Sequence, residues 1–119
     1  MDPLTAIGPE MTLRQAAQLL VDDPNEMLAV VQDGRLLGVV TDWDITNAIA
    51  HGKPDDLPVS QVMSREVISV PPDAIIPDVL QLLEAHEITA MPVVEKGDVV
   101  GVISSHILAR KTLARLLQG

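Results

Sequence analysis

The second half of this chain repeats the first at a fixed offset of 63 residues. Gly34 answers to Gly97, Pro9 to Pro72, Gln18-Leu19-Leu20 to Gln81-Leu82-Leu83, Val30-Val31 to Val93-Val94, and Gly38-Val39 to Gly101-Val102. No gap interrupts the correspondence, and the positions between keep their character, as Val40 and Ile103 or Thr41 and Ser104 show. A repeat of this kind is one supersecondary unit used twice, a tandem repeat. The 119 residues form a single domain of modest size, too small to hold a large catalytic domain beside the repeats.

Each copy carries the same string of local signals. Residues 4–7 read as a short strand stopped at Gly8-Pro9. Thr12 then caps a helix with Gln15 in the reciprocal position, and Leu13, Ala16, Ala17 and Leu20 lie at helical spacing. In the second copy residues 67–70 are the strand and Pro71-Pro72 the stop. Ile76, Val79, Leu80 and Leu83 form the stripe, with Pro77 tolerated in the first turn. Residues 27–32 and 35–40 flank Asp33-Gly34, a two-residue hairpin signal, and Lys96-Gly97 takes that place in the second copy. Each hairpin feeds a second helix, over residues 42–50 and 105–117. The expected fold is α+β, a tandem of β-α-β-β-α units.

The stretch from His51 to Pro58 carries glycine, two prolines and charge, and marks the linker. Residues 1–56 are accordingly the first repeat and 57–119 the second. Val59-Ser60-Gln61-Val62-Met63 follows as a short helical turn leading into the second copy. The first copy lacks this arm, because Met1 falls where it would end, so the chain reads as part of a longer protein or as one that has lost an arm.

Composition narrows the functional classes. Phe and Tyr are absent and Trp43 is the only aromatic ring, so the core must come from Val, Leu, Ile, Ala and Met. A net charge of −9 argues against nucleic acid, which is bound through clustered Lys and Arg. The only grouped cations, Arg110, Lys111 and Arg115, suit the C-terminal half of a helix. No apolar run approaches the length of a membrane span and no signal peptide is visible. Zero cysteines remove disulfides, thiolate metal sites and a thiol nucleophile, and the expected compartment is the cytoplasm. His51, His86 and His106 show no ligand spacing, Asp22-Asp23 and Asp55-Asp56 read as solvated loop pairs, and no catalytic motif is present. An enzyme is not expected, nor an obligatory cofactor or a metal.

The chemistry concentrates in Gly38-Val39-Val40-Thr41-Asp42-Trp43-Asp44-Ile45, where an apolar strand runs into a helix start. Thr41 and Asp44 have the spacing of a capping box. The same pair also suits a ligand, since a helix N-terminus attracts phosphate and a carboxylate beside it can hold a ribose diol.

These residues resemble a known family. The sequence is similar to a pair of CBS domains, the tandem called a Bateman module, over essentially its whole length. The second copy carries the resemblance through Val59-Ser60-Gln61-Val62-Met63, Ser69-Val70-Pro71-Pro72-Asp73 and Ile88-Thr89-Ala90-Met91-Pro92-Val93-Val94, and the first through residues 38–45. The resemblance implies that the two units pack about a pseudo-two-fold, forming a regulatory module with two clefts between the repeats, each able to take an adenosine-containing ligand such as AMP, ADP or ATP. An S-adenosylmethionine-type ligand, or a structural module that binds nothing, are the alternatives. Carried over, Thr41 would contact phosphate and Asp44 the ribose, with Val39 and Trp43 beside them. Ser69, Val70, Ile88, Ala90, Met91 and Pro92 would line the base. The other cleft departs from the pattern: Ile107 stands in place of the carboxylate and Leu28-Ala29 in place of Met91-Pro92, so one ligand per chain is expected. Glu26 and Met27 lie where relatives that hold several phosphates place basic side chains. The resemblance also implies a homodimer, for which Ala48-Ile49, Leu113, Leu116 and Leu117 offer apolar helix faces, and a regulated enzyme or transporter domain in the same or another chain.

Overall fold

The computed structural model describes residues 3–23 and 27–118; the readings placed on Met1 and Glu26 lie outside them. The first repeat contains β1 (Thr5–Ile7), α1 (Leu13–Val21), β2 (Met27–Gln32), β3 (Arg35–Thr41) and α2 (Asp42–Ala50). A single 3-10 turn, Val59–Gln61, precedes the second, which contains α3 (Ile76–Ala85), β4 (Ala90–Glu95), β5 (Asp98–Ser104) and α4 (Ser105–Leu117). α1 starts as its sequence requires: the Thr12 hydroxyl accepts from Gln15 N–H while the Gln15 side chain accepts from Thr12 N–H.

Both hairpins close through paired left-handed residues, Asp33 and Gly34 at φ 51° and 77°, Lys96 and Gly97 at φ 53° and 84°. This is the turn whose twist matches that of the strands it joins. The register of β2 on β3 shifts between Val30 and Val31, and that of β4 on β5 shifts at the equivalent Val93 and Val94. The repeat therefore extends to a bulge in the same place.

The sheets differ at their first strand. β1 runs parallel to β2 over Thr5, Ala6 and Ile7, but the strand expected over residues 67–70 shrinks to one bridge between Val70 and Val93. Val70 N–H donates to Pro92 O at 3.2 Å, and Val94 N–H donates to Val70 O at 2.9 Å. To extend a parallel ladder by one step, the residue at position 92 must donate a backbone N–H to residue 68. That residue is proline and has none. Residues 67–69 are thereby left outside the ladder.

Among the described residues, three apolar clusters hold the domain together. One lies within the first repeat, around Leu13, Leu28, Val30 and Val40, and one within the second, around Met91, Val93, Ile103 and Ile107. The third joins them and consists of three pairs at the repeat offset: Leu4 with Val67, Met27 with Ala90, and Val39 with Val102. Each copy thus presents the same three positions to its twin, and the pseudo-two-fold axis passes through this cluster.

The arm crosses the sequence boundary between the copies. Val59 and Met63 are buried in the first repeat's core, not the second's. Val59 N–H donates to Met11 O at 2.7 Å, and Leu13 N–H donates to Leu57 O at 2.9 Å. Residues 59–63, which in sequence lead into the second repeat, thus pack against the first. Leu13 beneath this arm is 1% exposed, whereas its repeat counterpart Ile76 is 41% exposed. Of the stripe expected on α3, only Val79 and Leu83 are buried.

Candidate functional site between the repeats

β3 delivers Thr41 to the edge of the inter-repeat cluster in an extended conformation, φ −112°, and α2 begins on the next residue. Thr41 Oγ1 accepts from Asp44 N–H at 3.2 Å, and Asp44 Oδ2 accepts from Thr41 N–H at 2.9 Å. The capping box read from the sequence is formed in full. Asp42 adds a further cap, its Oδ1 accepting from Trp43 N–H at 2.8 Å. Burial raises the Asp44 carboxyl above its ordinary pKa of 3.8; the two bonds from Thr41 oppose that rise, and the neighbouring Asp42 charge adds to it.

Thr41 and Asp44 open onto a cavity of about 370 Å³ between the repeats. Val39 and Met27 supply its apolar floor from the first sheet, and Trp43, 68% exposed, stands at its mouth. Ile88, Ala90 and Pro92 form the facing wall. Ser64 and Glu66 close it from the end of the arm, and Val67 and Ile68 from the segment beside it that Pro92 keeps out of the ladder. Among the described residues, the lining contains the carboxylates of Asp42, Asp44, Glu66 and Glu87 and no Lys or Arg.

Seven of the ten residues selected from sequence line this cavity: Val39, Thr41, Trp43, Asp44, Ile88, Ala90 and Pro92. Ser69, Val70 and Met91 are placed elsewhere. Met91 is 1% exposed and Val70 4%, both in the second repeat's core; side chains alternate along β4, so Ala90 and Pro92 rather than Met91 take the cavity face. Ser69 faces a separate depression beside the two hairpins. The first-strand contribution comes instead from Val67 and Ile68, two residues earlier than the family pattern suggested. Sequence reasoning also missed Ser64, Glu66, Glu87 and Thr89.

Glu87 is positioned by the end of α3. Ile88 N–H donates to Leu83 O at 3.0 Å and Glu87 N–H to Glu84 O at 3.3 Å, the two bonds of a Schellman closure. The left-handed residue of such a closure is usually glycine, yet here it is Glu87, at φ 53°.

At the repeat-related position, Ser104 Oγ accepts from Ile107 N–H at 3.1 Å and starts α4 without a carboxylate. Ile107 is 6% exposed and belongs to the second core. Leu28 and Ala29, across from it, are 0% and 1% exposed. Among the described residues no group of His, Cys, Asp and Glu is arranged to hold a metal ion, and no helix is long and apolar enough to cross a membrane.

Comparison with known proteins agrees with this architecture. The CBS domain family model matches residues 1–51 and again 59–113, and the chain belongs to that family. It is 34% identical over 107 residues to the CBS domain-containing protein YhcV of Bacillus subtilis, covering 89% of this chain and 76% of that one. It is 33% identical over 100 residues to a homoserine O-acetyltransferase of Methanohalophilus mahii, covering 82% of this chain but only 20% of the enzyme. Among solved structures, the CBS domain pair of protein MJ0100 in complex with 5′-methylthioadenosine and S-adenosyl-L-methionine superposes with a TM-score of 0.83. It is 29% identical to this chain, over 93% of this chain and 92% of that one.

Proposed function

We propose that this chain is a regulatory ligand-sensing module whose inter-repeat cavity takes one adenosyl small molecule. The observation that carries this is the meeting, on one cavity, of the Thr41–Asp44 helix start from the first repeat and the Ala90–Pro92 strand from the second. Asp44 Oδ2 is engaged with Thr41 N–H, but a carboxylate has acceptor capacity for several bonds, so one side chain can cap its helix and hold a ribose hydroxyl. The exposed face of Trp43 and the apolar walls of Val39, Ile88 and Pro92 suit a purine. Support comes from the MJ0100 domain pair, whose structure holds two adenosyl compounds.

The chain spans only about a fifth of the homoserine O-acetyltransferases it resembles. That supports a role beside an enzyme domain, in the same chain or another, with the module itself binding rather than catalysing. A homodimer is part of the proposal, because Leu113, Leu116 and Leu117 are 59%, 71% and 89% exposed on α4. The absence of cysteine suits the reducing cytoplasm.

A thermal-shift series with S-adenosylmethionine, 5′-methylthioadenosine, AMP, ADP and ATP tests the ligand class. A binder at a hundred times its Kd adds about 2.7 kcal/mol of stability. Asp44→Ala should cost it about 1.5–3 kcal/mol of affinity, while the lost cap costs about 1 kcal/mol of folding stability. No shift with any of the five removes the ligand-sensing assignment.

A further inference from the structure

We infer that the cavity selects an adenosyl ligand with a positively charged 5′ substituent, of the sulfonium kind, and rejects adenine nucleotides, with Glu66 and Glu87 as the selecting residues. The inference rests on the reading of the cavity as an adenosyl site and adds to it the sign of the ligand's charge.

Two independent features point the same way. The first concerns donors. A helix N-terminus binds phosphate through unsatisfied backbone N–H groups, but three donors at the start of α2 are engaged internally. Thr41 N–H donates to Asp44, Trp43 N–H to Asp42, and Asp44 N–H to the Thr41 hydroxyl. A phosphate placed here would have to displace the Asp44 or Asp42 carboxylate or the Thr41 hydroxyl for each of these three amides it gained. Among the described residues, no Lys or Arg lines the cavity to compensate. Arg65, next to Glu66 in sequence, donates to Ser60 O on the arm at 3.4 Å.

The second feature is the charge of the wall. Asp42, Asp44, Glu66 and Glu87 come from three separate segments and converge on one cavity. A cavity of about 370 Å³ has the span of a sphere about 9 Å across, close to the Debye length of about 8 Å at physiological ionic strength, so salt does not fully hide these charges from a ligand. Phosphate is repelled and a cation attracted. Glu87 is the most telling member, since it occupies a left-handed position that favours glycine and such strain concentrates at functional sites.

Isothermal titration of the full chain with S-adenosylmethionine, 5′-methylthioadenosine, AMP and ATP, at low and high salt, tests this. The expected order of affinity is S-adenosylmethionine, then uncharged 5′-methylthioadenosine, then AMP, then ATP, with the lead of the cation shrinking as salt rises. Glu66→Gln and Glu87→Gln should each weaken S-adenosylmethionine by about two- to five-fold and leave 5′-methylthioadenosine unchanged. AMP or ATP binding as tightly as the sulfonium compound overturns the charge assignment and leaves the adenosyl site standing. So does equal binding of the sulfonium compound and 5′-methylthioadenosine. Binding of none of the four overturns the site itself, and the selectivity with it.

Discussion

Val39 and Ser64 exchange both of their backbone hydrogen bonds, Val39 N–H donating to Ser64 O at 3.0 Å and Ser64 N–H to Val39 O at 2.9 Å. Val39 sits in the cluster that joins the repeats and lines the cavity, and Ser64 lines it too. The pairing therefore ties three things together: the arm, the inter-repeat core and the cavity wall. Anything that loosens the arm should reach the site.

Gly38→Ala tests that coupling most directly. A Cβ at Gly38 would stand 2.5 Å from Ser64 O and 3.2 Å from the Met63 side chain, and the backbone oxygen cannot yield without opening the Val39–Ser64 pairing. The variant should lose about 1–3 kcal/mol, the usual cost of overpacking. Gly8→Ala, which meets nothing within 4 Å, serves as the control and should stay within about 0.5 kcal/mol of the parent. Urea denaturation of both variants settles the comparison; equal stabilities would show that the arm is not held as described.

Met63→Ala separates the core from the sequence boundary. Met63 is 8% exposed and packs with Leu13, Leu28 and Val40 of the first repeat. Truncating a buried methionine costs about 2–5 kcal/mol, and the lower part of that range suits a residue at the edge of its cluster. In hydrogen exchange, the loss of protection should appear first in α1 and β3, not in α3. Preferential loss in α3 would return the arm to the second repeat.

Asp44→Asn carries a pH signature. Because burial raises the folded pKa above 3.8, the folded state holds the Asp44 proton more tightly than the unfolded chain does. The stability this contributes is complete below 3.8 and is lost as pH rises through the raised folded value. Asparagine keeps an oxygen for Thr41 N–H and has no such loss. The stability of Asp44→Asn relative to the parent should therefore climb above pH 3.8 and then level off. A constant difference between pH 3 and 7 in parallel melts would show that Asp44 is not desolvated.

Much of this fold was legible because its determinants are local. Thr12 with Gln15, Thr41 with Asp44, Asp33-Gly34 and Lys96-Gly97 each complete their geometry within a few residues, and all four formed as read. What escaped depended on residues far apart in sequence. The strand over residues 67–70 failed for want of an N–H at Pro92, more than twenty positions away. The arm reads as the start of the second copy, yet it fills a hollow in the first. At the cavity, Ser69, Val70 and Met91 were displaced by strand alternation and by the shortened ladder, while Glu66 and Glu87 entered through tertiary placement that no motif announces.

Self-association should depend on the C-terminal helix. Leu113, Leu116 and Leu117 are largely exposed and Ile49 on α2 is 47% exposed, a concentration of apolar surface unusual for an isolated monomer. Light scattering at micromolar concentration should give a mass above the 12.8 kDa of one chain. Leu113→Glu combined with Leu117→Glu should return it to that value with the melting temperature of the diluted parent. A parent that scatters as a monomer at every concentration removes the dimer.

Binding should saturate at one ligand per chain. At the repeat-related position, Ile107 fills the place of Asp44 with an aliphatic group, and a sugar hydroxyl buried against it would go unpaired at about 1–3 kcal/mol, up to about a hundred-fold in affinity. Substituting a carboxylate there does not repair the defect. Ile107 is 6% exposed and packs within the second repeat's core, so Ile107→Asp forfeits about 2–5 kcal/mol of packing and recovers only about 1 kcal/mol by capping Ser104. Titration calorimetry should give a stoichiometry near one for the parent, and Ile107→Asp should melt earlier without a second binding event. Two equivalent sites in the parent, or a second site gained by the variant at unchanged stability, would defeat the asymmetry between Asp44 and Ile107.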